Sequence, residues 1–375
     1  MKIYKVTLEP LDWFFFGGES TFDNSVKTSY IAHSDKFPQQ TALLGMVRYQ
    51  LLKQEELLTG KGKTPDPEKV NNLIGSGSFY MTNEKQKFGA ILGLSPVFIE
   101  REDKSPQCTD YFFPITLTNS YQLSFAEGNG IKVYLNGSDK TCLIEDNDSF
   151  KEKDYDNFLR FQSQDGQELM QKDIFETKMQ VGITKNTDYG QEADSEKNRF
   201  FKHEMVRFKN ISERKFRFAF YVALNEKQLE SDYVYLGAER SCFKMVADEV
   251  EISSDATLQE VFLQNRHSVS EKGRIEILSP TYVENMDKLN QLCDFHWSSQ
   301  LPFRNILQSK ENKGKLNSGV VSYNRCSICY NMLTSGSVLF FDEKNRLQIE
   351  ELLKNQHLQF IGYNYYNSMD KQLKK

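Results

Sequence analysis

No apolar run in this chain approaches the ~20 residues of a membrane-spanning helix, so no membrane association is expected. Met1-Lys2-Ile3-Tyr4 leads straight into strand-like sequence, without a secretory leader. Six cysteines without such a leader fit a reducing compartment, and a cytoplasmic location is expected. An excess of basic charge is also missing: 47 Lys and Arg stand against 52 Asp and Glu, a net charge of −5. These totals exclude a simple basic nucleic-acid binder, and any anion-binding groove must be local or shared with a neighbour. The five histidines, His33, His203, His267, His296 and His357, form no Glu-x-x-His or paired arrangement, and no Walker-type phosphate loop occurs. Catalysis and a cofactor have little to build on, and no cofactor is expected. No repeat recurs at a fixed period of ~20–50 residues.

What is present is length and aromatic side chains. A chain of 375 residues exceeds one small core and suggests two domains. Its 28 Phe and 18 Tyr supply both core and stacking surfaces. Lys2–Leu8 alternates as a strand, and Ala42–Leu57 places apolar residues at helical spacing. Phe88–Ile99, Phe112–Leu117, Lys132–Leu135 and, most clearly, Lys215–Leu224 read as strands. Glu145–Asp154 is a polar, charge-mixed surface loop. Ser337–Phe341 reads as a late strand, Glu350–Lys354 as a short helix and Leu358–Tyr366 as a closing strand.

Two constellations suggest a ligand. In the first, Trp13-Phe14-Phe15-Phe16-Gly17-Gly18 precedes Phe37-Pro38-Gln39-Gln40-Thr41 and the helical run through Arg48. Glycine admits close approach of a backbone, and a helix beginning near Pro38–Thr41 offers free N–H groups to a phosphate. In the second, alternating runs at Glu176–Lys185 and Lys197–Arg207 flank a loop at Asp188–Ser195, the mark of a long hairpin. Its basic and aromatic residues interleave, so one face suits a phosphate backbone. The plainer alternative is a hairpin whose Phe200, Phe201 and Val206 merely enter the core. Gly237 permits a tight turn, and Arg240 is either a bidentate phosphate ligand or a surface ion-pair partner.

These segments carry a resemblance. Pro10-Leu11-Asp12 with the aromatic run, Gly17-Gly18, Phe37-Pro38 and Leu44-Gly45-Met46-Val47-Arg48 resemble the RAMP-superfamily third Cmr subunit of type III-B CRISPR effector complexes. Glu176, Gly182-Ile183 and Phe200-Phe201 look like that family's thumb hairpin. Leu236-Gly237-Ala238-Glu239-Arg240 is similar to its Leu-Gly-Gly-Glu-Arg segment, Ser335-Gly336-Ser337-Val338 to its late strand, and Gly362-Tyr363-Asn364 to its last glycine loop. Gly17-Gly18 stands where a charged residue precedes glycine in the family, and Gln39 replaces a proline.

The resemblance implies an α+β chain of two ferredoxin-like (RRM-like) RAMP domains, 1–170 and 211–375, with a protruding thumb β-hairpin at 171–210. It implies a non-catalytic subunit that binds and kinks the crRNA 5′ tag, docks the large Cas polymerase/cyclase subunit and abuts a RAMP backbone subunit. The RNA contacts expected are Gln39, Gln40, Thr41 and Arg48; Lys178, Met179, Gln180, Gly182, Ile183 and Lys185; Gly237 and Arg240; and Gly362, Tyr363 and Asn364. The competing expectation is a metal-independent repeat endoribonuclease centred on His33 and Tyr30, although acid–base cleavage needs a second positioned group. One metal candidate exists: Cys293 and His296, a CxxH, are separated by 29 residues from Cys326 and Cys329, a CxxC, a spacing compatible with tetrahedral Zn2+. Burial of these cysteines as small apolar residues is the alternative.

Overall fold

The computed structural model describes residues 1–18, 31–58, 66–103, 109–115, 168–183, 200–209, 214–251, 272–308 and 323–370, with short strand segments between 123 and 162. Tyr30, the 145–154 loop, Lys185, the 188–195 loop and the side chain of Ile183 lie outside the described residues.

The chain opens with β1 (Lys2–Pro10), β2 (Ile31–Ala32), helices α1 (Gln40–Gln54) and α2 (Pro67–Ile74), and strands β3 (Ile91–Leu94), β4 (Phe98–Asp103) and β5 (Thr109–Ile115). β6 (Leu123–Ser124), β7 (Ile131–Tyr134) and β8 (Thr141–Ile144) pair among themselves. Next come β9 (Arg160–Gln162), β10 (Glu168–Met170), the hairpin β11 (Phe175–Ile183) and β12 (Phe200–Phe208), and then β13 (Arg214–Leu224), β14 (Asp232–Tyr235) and β15 (Cys242–Val250). The main sheet runs β10-β9-β5-β4-β13-β1-β15-β14, with β3 beside β13. The boundary expected at 210/211 therefore falls within a single sheet, because β13 lies between β1 and β4. Phe216, Phe218, Phe220 and Val222 all point to one buried face of β13, and only a central position covers so long an apolar row.

α1 lies against that face through Leu43, Leu44, Met46, Val47 and Leu51, an i, i+1, i+3, i+4, i+8 stripe that made it legible. α2 begins cleanly because the Asp66 side chain accepts the N–H of Glu68 and Pro67 occupies its first turn. Phe14, Phe15 and Phe16 are core residues rather than ligand contacts. Phe14, Phe16, Phe175, Phe208, Phe218 and Phe243 make one aromatic cluster that joins the opening loop and the hairpin base to the sheet.

In the C-terminal half, β16 (Lys272–Ile277), β17 (Thr281–Tyr282), β18 (Cys293–Trp297), β19 (Gln300–Phe303), β20 (Ile306–Gln308), β21 (Tyr323–Arg325), β22 (Tyr330–Leu333), β23 (Val338–Asp342) and β24 (Tyr366–Asp370) form smaller antiparallel sheets. The largest, β18-β23-β16-β24, is covered by the helices Met286–Leu292 and Arg346–Leu353 around Ile275, Leu289, Phe341 and Ile349. Helices packed on antiparallel sheets make the class α+β. The closing strand expected at 358–366 is instead a short helix, Gln356–Gln359, a turn and β24. Asn355 caps that helix by accepting the N–H of Leu358. Gly362 at φ +90° and Asn364 at φ +56° then break any extended run. Among the described residues, no helix is long and apolar enough to cross a membrane.

Candidate nucleic-acid interface

The residues singled out from the sequence divide into two groups, and the structure treats them oppositely. The first group, at the start of α1 and in the 362–364 loop, packs against itself inside the protein. Gln40 is 2 % exposed and its Nε2 donates to the carbonyls of Ser95, at 2.8 Å, and Ile361, at 2.7 Å. The half-buried Gln39 spends its carbonyl on the N–H groups of Ala42 and Leu43. Tyr363 is buried with its hydroxyl hydrogen-bonded to Thr41 and to the backbone of Gln40 and Thr41; burial pushes it up to about 12. The helix N-terminus expected to hold a phosphate is thus filled by a phenol from the C-terminal half. Asn364 is wholly buried and bonded to Tyr282 and Leu353.

Arg48 is withdrawn as well. It is 5 % exposed, donates to the Gly77 carbonyl at 3.3 Å and lies 5.8 Å from the centre of the Phe88 ring. Burial pushes it down to about 10. Gln40, Arg48, Tyr363 and Asn364 are therefore corrected from RNA contacts to structural groups. Each is polar and buried: Gln40, Tyr363 and Asn364 bond inside the protein, and Arg48 spends one nitrogen on Gly77, while Gln40 Oε1 and Arg48 Nε and Nη2 are buried without a hydrogen-bond partner among the described residues.

The second group converges at the surface. Antiparallel pairing of β11 with β12 sets Glu176 opposite Arg207, Lys178 opposite Met205, Gln180 opposite His203 and Gly182 opposite Phe201. Lys178, Met179 and Gln180 are exposed, and Gly182 is half-buried. Trp13 lies on this hairpin, its ring 5.6 Å from the Lys178 ammonium and 4.4 Å from the Arg207 guanidinium. Arg207 is also paired with Glu176. Behind Trp13, Phe14 bridges to Val206 in β12 and Phe15 bridges to Ala238. One strip of extended chain therefore fastens the hairpin to the Gly237–Arg240 turn.

That turn needs its glycine: Gly237 has φ +86°, and a Cβ there would lie 2.4 Å from the Phe15 carbonyl oxygen. Glu239 and Arg240 follow in the left-handed region and are exposed. Trp13 and Arg207 were not among the contacts named from sequence. The signal was present in the strand alternation, but Arg207 joins Lys178 on one face only once the hairpin register is known.

Beside the hairpin, His33 Nδ1 lies 2.7 Å from Glu204 Oε2, and Lys36 Nζ lies 2.8 Å from Glu204 Oε1. Burial pushes the Glu204 carboxyl up, but Lys36 and His33 outweigh it and hold it below the usual range. Asp35, which bridges to Phe16, is pushed up to about 6 by burial, against the pull of Lys36. A carboxyl whose folded value lies above its unfolded value binds more protons in the native state, so stability falls as pH rises from about 4 through about 6. Asp35→Asn is expected to be more stable than the parent at pH 8 by on the order of 1–2 kcal/mol, the gap closing near pH 4. Thermal melts of both proteins across that range check it.

Among the described residues the candidate zinc ligands Cys293, His296, Cys326 and Cys329 do not come together, and no three His, Cys, Asp or Glu side chains form a metal-sized group. His296 instead places its two ring nitrogens 2.7 Å from Ser298 Oγ and 3.0 Å from Asn290 Oδ1. Burial pushes the Cys293 thiol up to about 12, which disfavours the thiolate that zinc requires. In sequence the spacing was suitable, but Cys293 opens β18 while Cys326 and Cys329 lie in the connection between β21 and β22, which belong to two other sheets.

The family model of the CRISPR-associated protein Cas_Cmr3 matches residues 6–122 and 150–367. The chain belongs to the Cas_Cmr3 family. It is thereby a third-subunit member of the type III-B Cmr group, as the resemblance in its loops implies. Two solved structures are similar at 14% identity. One, a cryo-EM structure of the type III-B Cmr-beta bound to cognate target RNA, has a TM-score of 0.45 and is covered to 96% on both chains. The other, the same assembly with AMPPnP in state 1, has a TM-score of 0.46, with 96% of this chain and 94% of that one covered. No curated protein matches. In this Cas_Cmr3 chain, the hairpin, Trp13 and the Gly237–Arg240 turn make up the exposed candidate interface.

Proposed function

We propose that this Cas_Cmr3 chain is a non-catalytic subunit of a type III-B CRISPR RNA-guided effector in antiviral defence. In this reading it grips and kinks the crRNA 5′ tag with the β11–β12 hairpin acting as a thumb. It also docks the large Cas polymerase/cyclase subunit and packs against an adjacent RAMP backbone subunit. Two ferredoxin-like RAMP domains are the architecture this reading entails, with β13–β15 belonging to the first sheet. The observation that carries the RNA role is the surface on which exposed Lys178, Gln180 and Arg207 surround the half-buried Trp13 beside the Gly237–Arg240 turn. Two cations and an indole on one surface suit phosphate and base together. The net charge of −5 is compatible with this, because a groove completed by neighbouring subunits needs only local cations.

The test is a Lys178→Ala/Arg207→Ala double variant assembled with the other effector subunits and guide RNA. Tag affinity is expected to fall on the order of tenfold to a hundredfold, from loss of two charge-assisted contacts. The slope of log affinity against log salt should shrink by about 0.7 per lost phosphate contact. Unchanged tag protection and an unchanged slope would sink the thumb role.

A second reading has one observation in its favour. His33 Nδ1 lies against Glu204, whose other carboxylate oxygen is held by Lys36, an arrangement that suits an oriented imidazole. If the chain is a guide-processing ribonuclease, purified protein cuts repeat RNA at defined positions and His33→Ala abolishes the cuts. Under the scaffold reading neither protein cuts.

A further inference from the structure

β14 forms one edge of the main sheet and carries the most conspicuous unpartnered aromatic side chains on the described surface. Tyr233 is 61% and Tyr235 72% exposed, while Val234 between them is buried, so the two rings project from the same outer face. No ring contact or side-chain hydrogen bond engages either of them among the described residues. The register sets Lys244 opposite Tyr233 and Cys242 opposite Tyr235. Lys244 is exposed on this face, whereas Cys242 and Val246 are half-buried. The one acid of the strand, Asp232, points the other way and is bound by Lys53 and Gln50 from α1. On this face Glu9 of β1 stands opposite Lys244, and exposed Leu11 adjoins Cys242 through its N–H, so the two tyrosines and the lysine are bordered by one carboxylate and one exposed leucine rather than by a broad aliphatic patch. They suit a base and its phosphate.

The spacing agrees. Two residues along a strand span about 6.8 Å, twice the ~3.4 Å separation of stacked bases, which leaves room for one base between the rings. Tyr235 also leads through Leu236 directly into Gly237 and Ala238, the segment bridged to Phe15. The edge is therefore continuous in the chain with the candidate interface.

We propose that Tyr233 and Tyr235 form a stacking platform for single-stranded RNA, with Lys244 taking a phosphate, and that it extends the strand's path beyond the hairpin. The proposal rests on the RNA-binding reading and adds a second contact surface to it. Stacking on a ring tolerates any base, so this platform selects single-stranded over duplex RNA rather than one sequence over another.

The test is anisotropy of a short fluorescein-labelled oligoadenylate RNA with the full-length chain at low salt. Three double variants are compared with the parent: Tyr233→Ala/Tyr235→Ala, Tyr233→Phe/Tyr235→Phe and Lys178→Ala/Arg207→Ala. The alanine pair at the tyrosines is expected to weaken binding roughly 5- to 100-fold, while the phenylalanine pair stays near the parent, because the ring and not the hydroxyl stacks. The same oligonucleotide in duplex form should be insensitive to the tyrosine changes. If the tyrosine alanine pair binds as the parent while the hairpin pair does not, the platform is wrong and the RNA reading stands. If the parent itself binds no RNA, the platform is wrong, while the thumb reading is decided separately by tag protection in the assembled effector. Should the alanine pair bind RNA normally yet drop out of the assembled effector, the surface docks a protein and the proposal is overturned.

Discussion

Replacing Gly362 with alanine is expected to cost roughly 3–5 kcal/mol of stability, combining a left-handed backbone penalty with overpacking. Gly362 has φ +90°, and a Cβ there would sit 1.8 Å from Gln40 Nε2 and 2.4 Å from the Ser95 carbonyl oxygen. Neither neighbour can yield cheaply. The Gln40 amide is held by two backbone carbonyls, one of them on Ile361 at the far end of the chain, and the Ser95 carbonyl is backbone beside β4. The change should therefore loosen the junction at which Leu358, Ile361 and Tyr363 enter the core of the N-terminal sheet. Equilibrium urea unfolding reads the effect as a lowered midpoint; a loss below about 1 kcal/mol would show that this loop is not packed as described.

Asn364→Ala is expected to cost about 3 kcal/mol or more. The side chain is fully buried: its Oδ1 accepts the Tyr282 N–H at 2.9 Å, and its Nδ2 donates to the carbonyls of Tyr282, at 2.9 Å, and Leu353, at 2.8 Å. Alanine leaves all three backbone groups without that partner in a buried site, and adds the strain of a φ of +56° that asparagine tolerates better. Asn364→Asp separates the contributions. It keeps the acceptor but loses the donor and buries a carboxyl, so its deficit should deepen as pH rises through the carboxyl's raised range. A flat pH profile would mean that water reaches the site.

Both positions read from sequence as part of a loop that RNA would approach, and the misreading is instructive. Gly362, Tyr363 and Asn364 have the composition of a binding loop: a flexible residue, a ring and an amide. The same composition suits a buried junction between distant segments, where the glycine admits another side chain, the phenol caps a helix and the amide replaces a strand partner. Gln40 and Arg48 misled for a related reason. A glutamine in the first turn and an arginine on a helix are usually solvated. Nothing local indicates that Ser95 and Ile361, or Gly77 and Phe88, will close over them.

The two paired strands of the hairpin, Phe175–Ile183 and Phe200–Phe208, were legible because antiparallel strands announce themselves in alternation. Lys178 and Gln180 could then be placed on a strand, but their partners could not. The Cys and His pairs show the converse failure. A chelating spacing along the chain holds for two ligands on one turn and says nothing about whether two such pairs meet.

What this sequence determined by itself is what local pattern controls. That covers the strand rows of β1 and β13, the apolar stripe of α1, the hairpin, the glycine turns, and through its loop motifs the family to which the chain belongs. Periodicity of 2 or 3.6 residues and left-handed glycines are properties of a few neighbouring residues. Only the tertiary structure decided which polar residues are spent inside and which remain for a ligand. It buried Gln40, Arg48, Tyr363 and Asn364, left Lys178, Arg207, Tyr233 and Tyr235 at the surface, and carried β13 across the expected domain boundary. Burial is set by contacts between segments far apart in the chain, and those contacts exist only once the segments have packed.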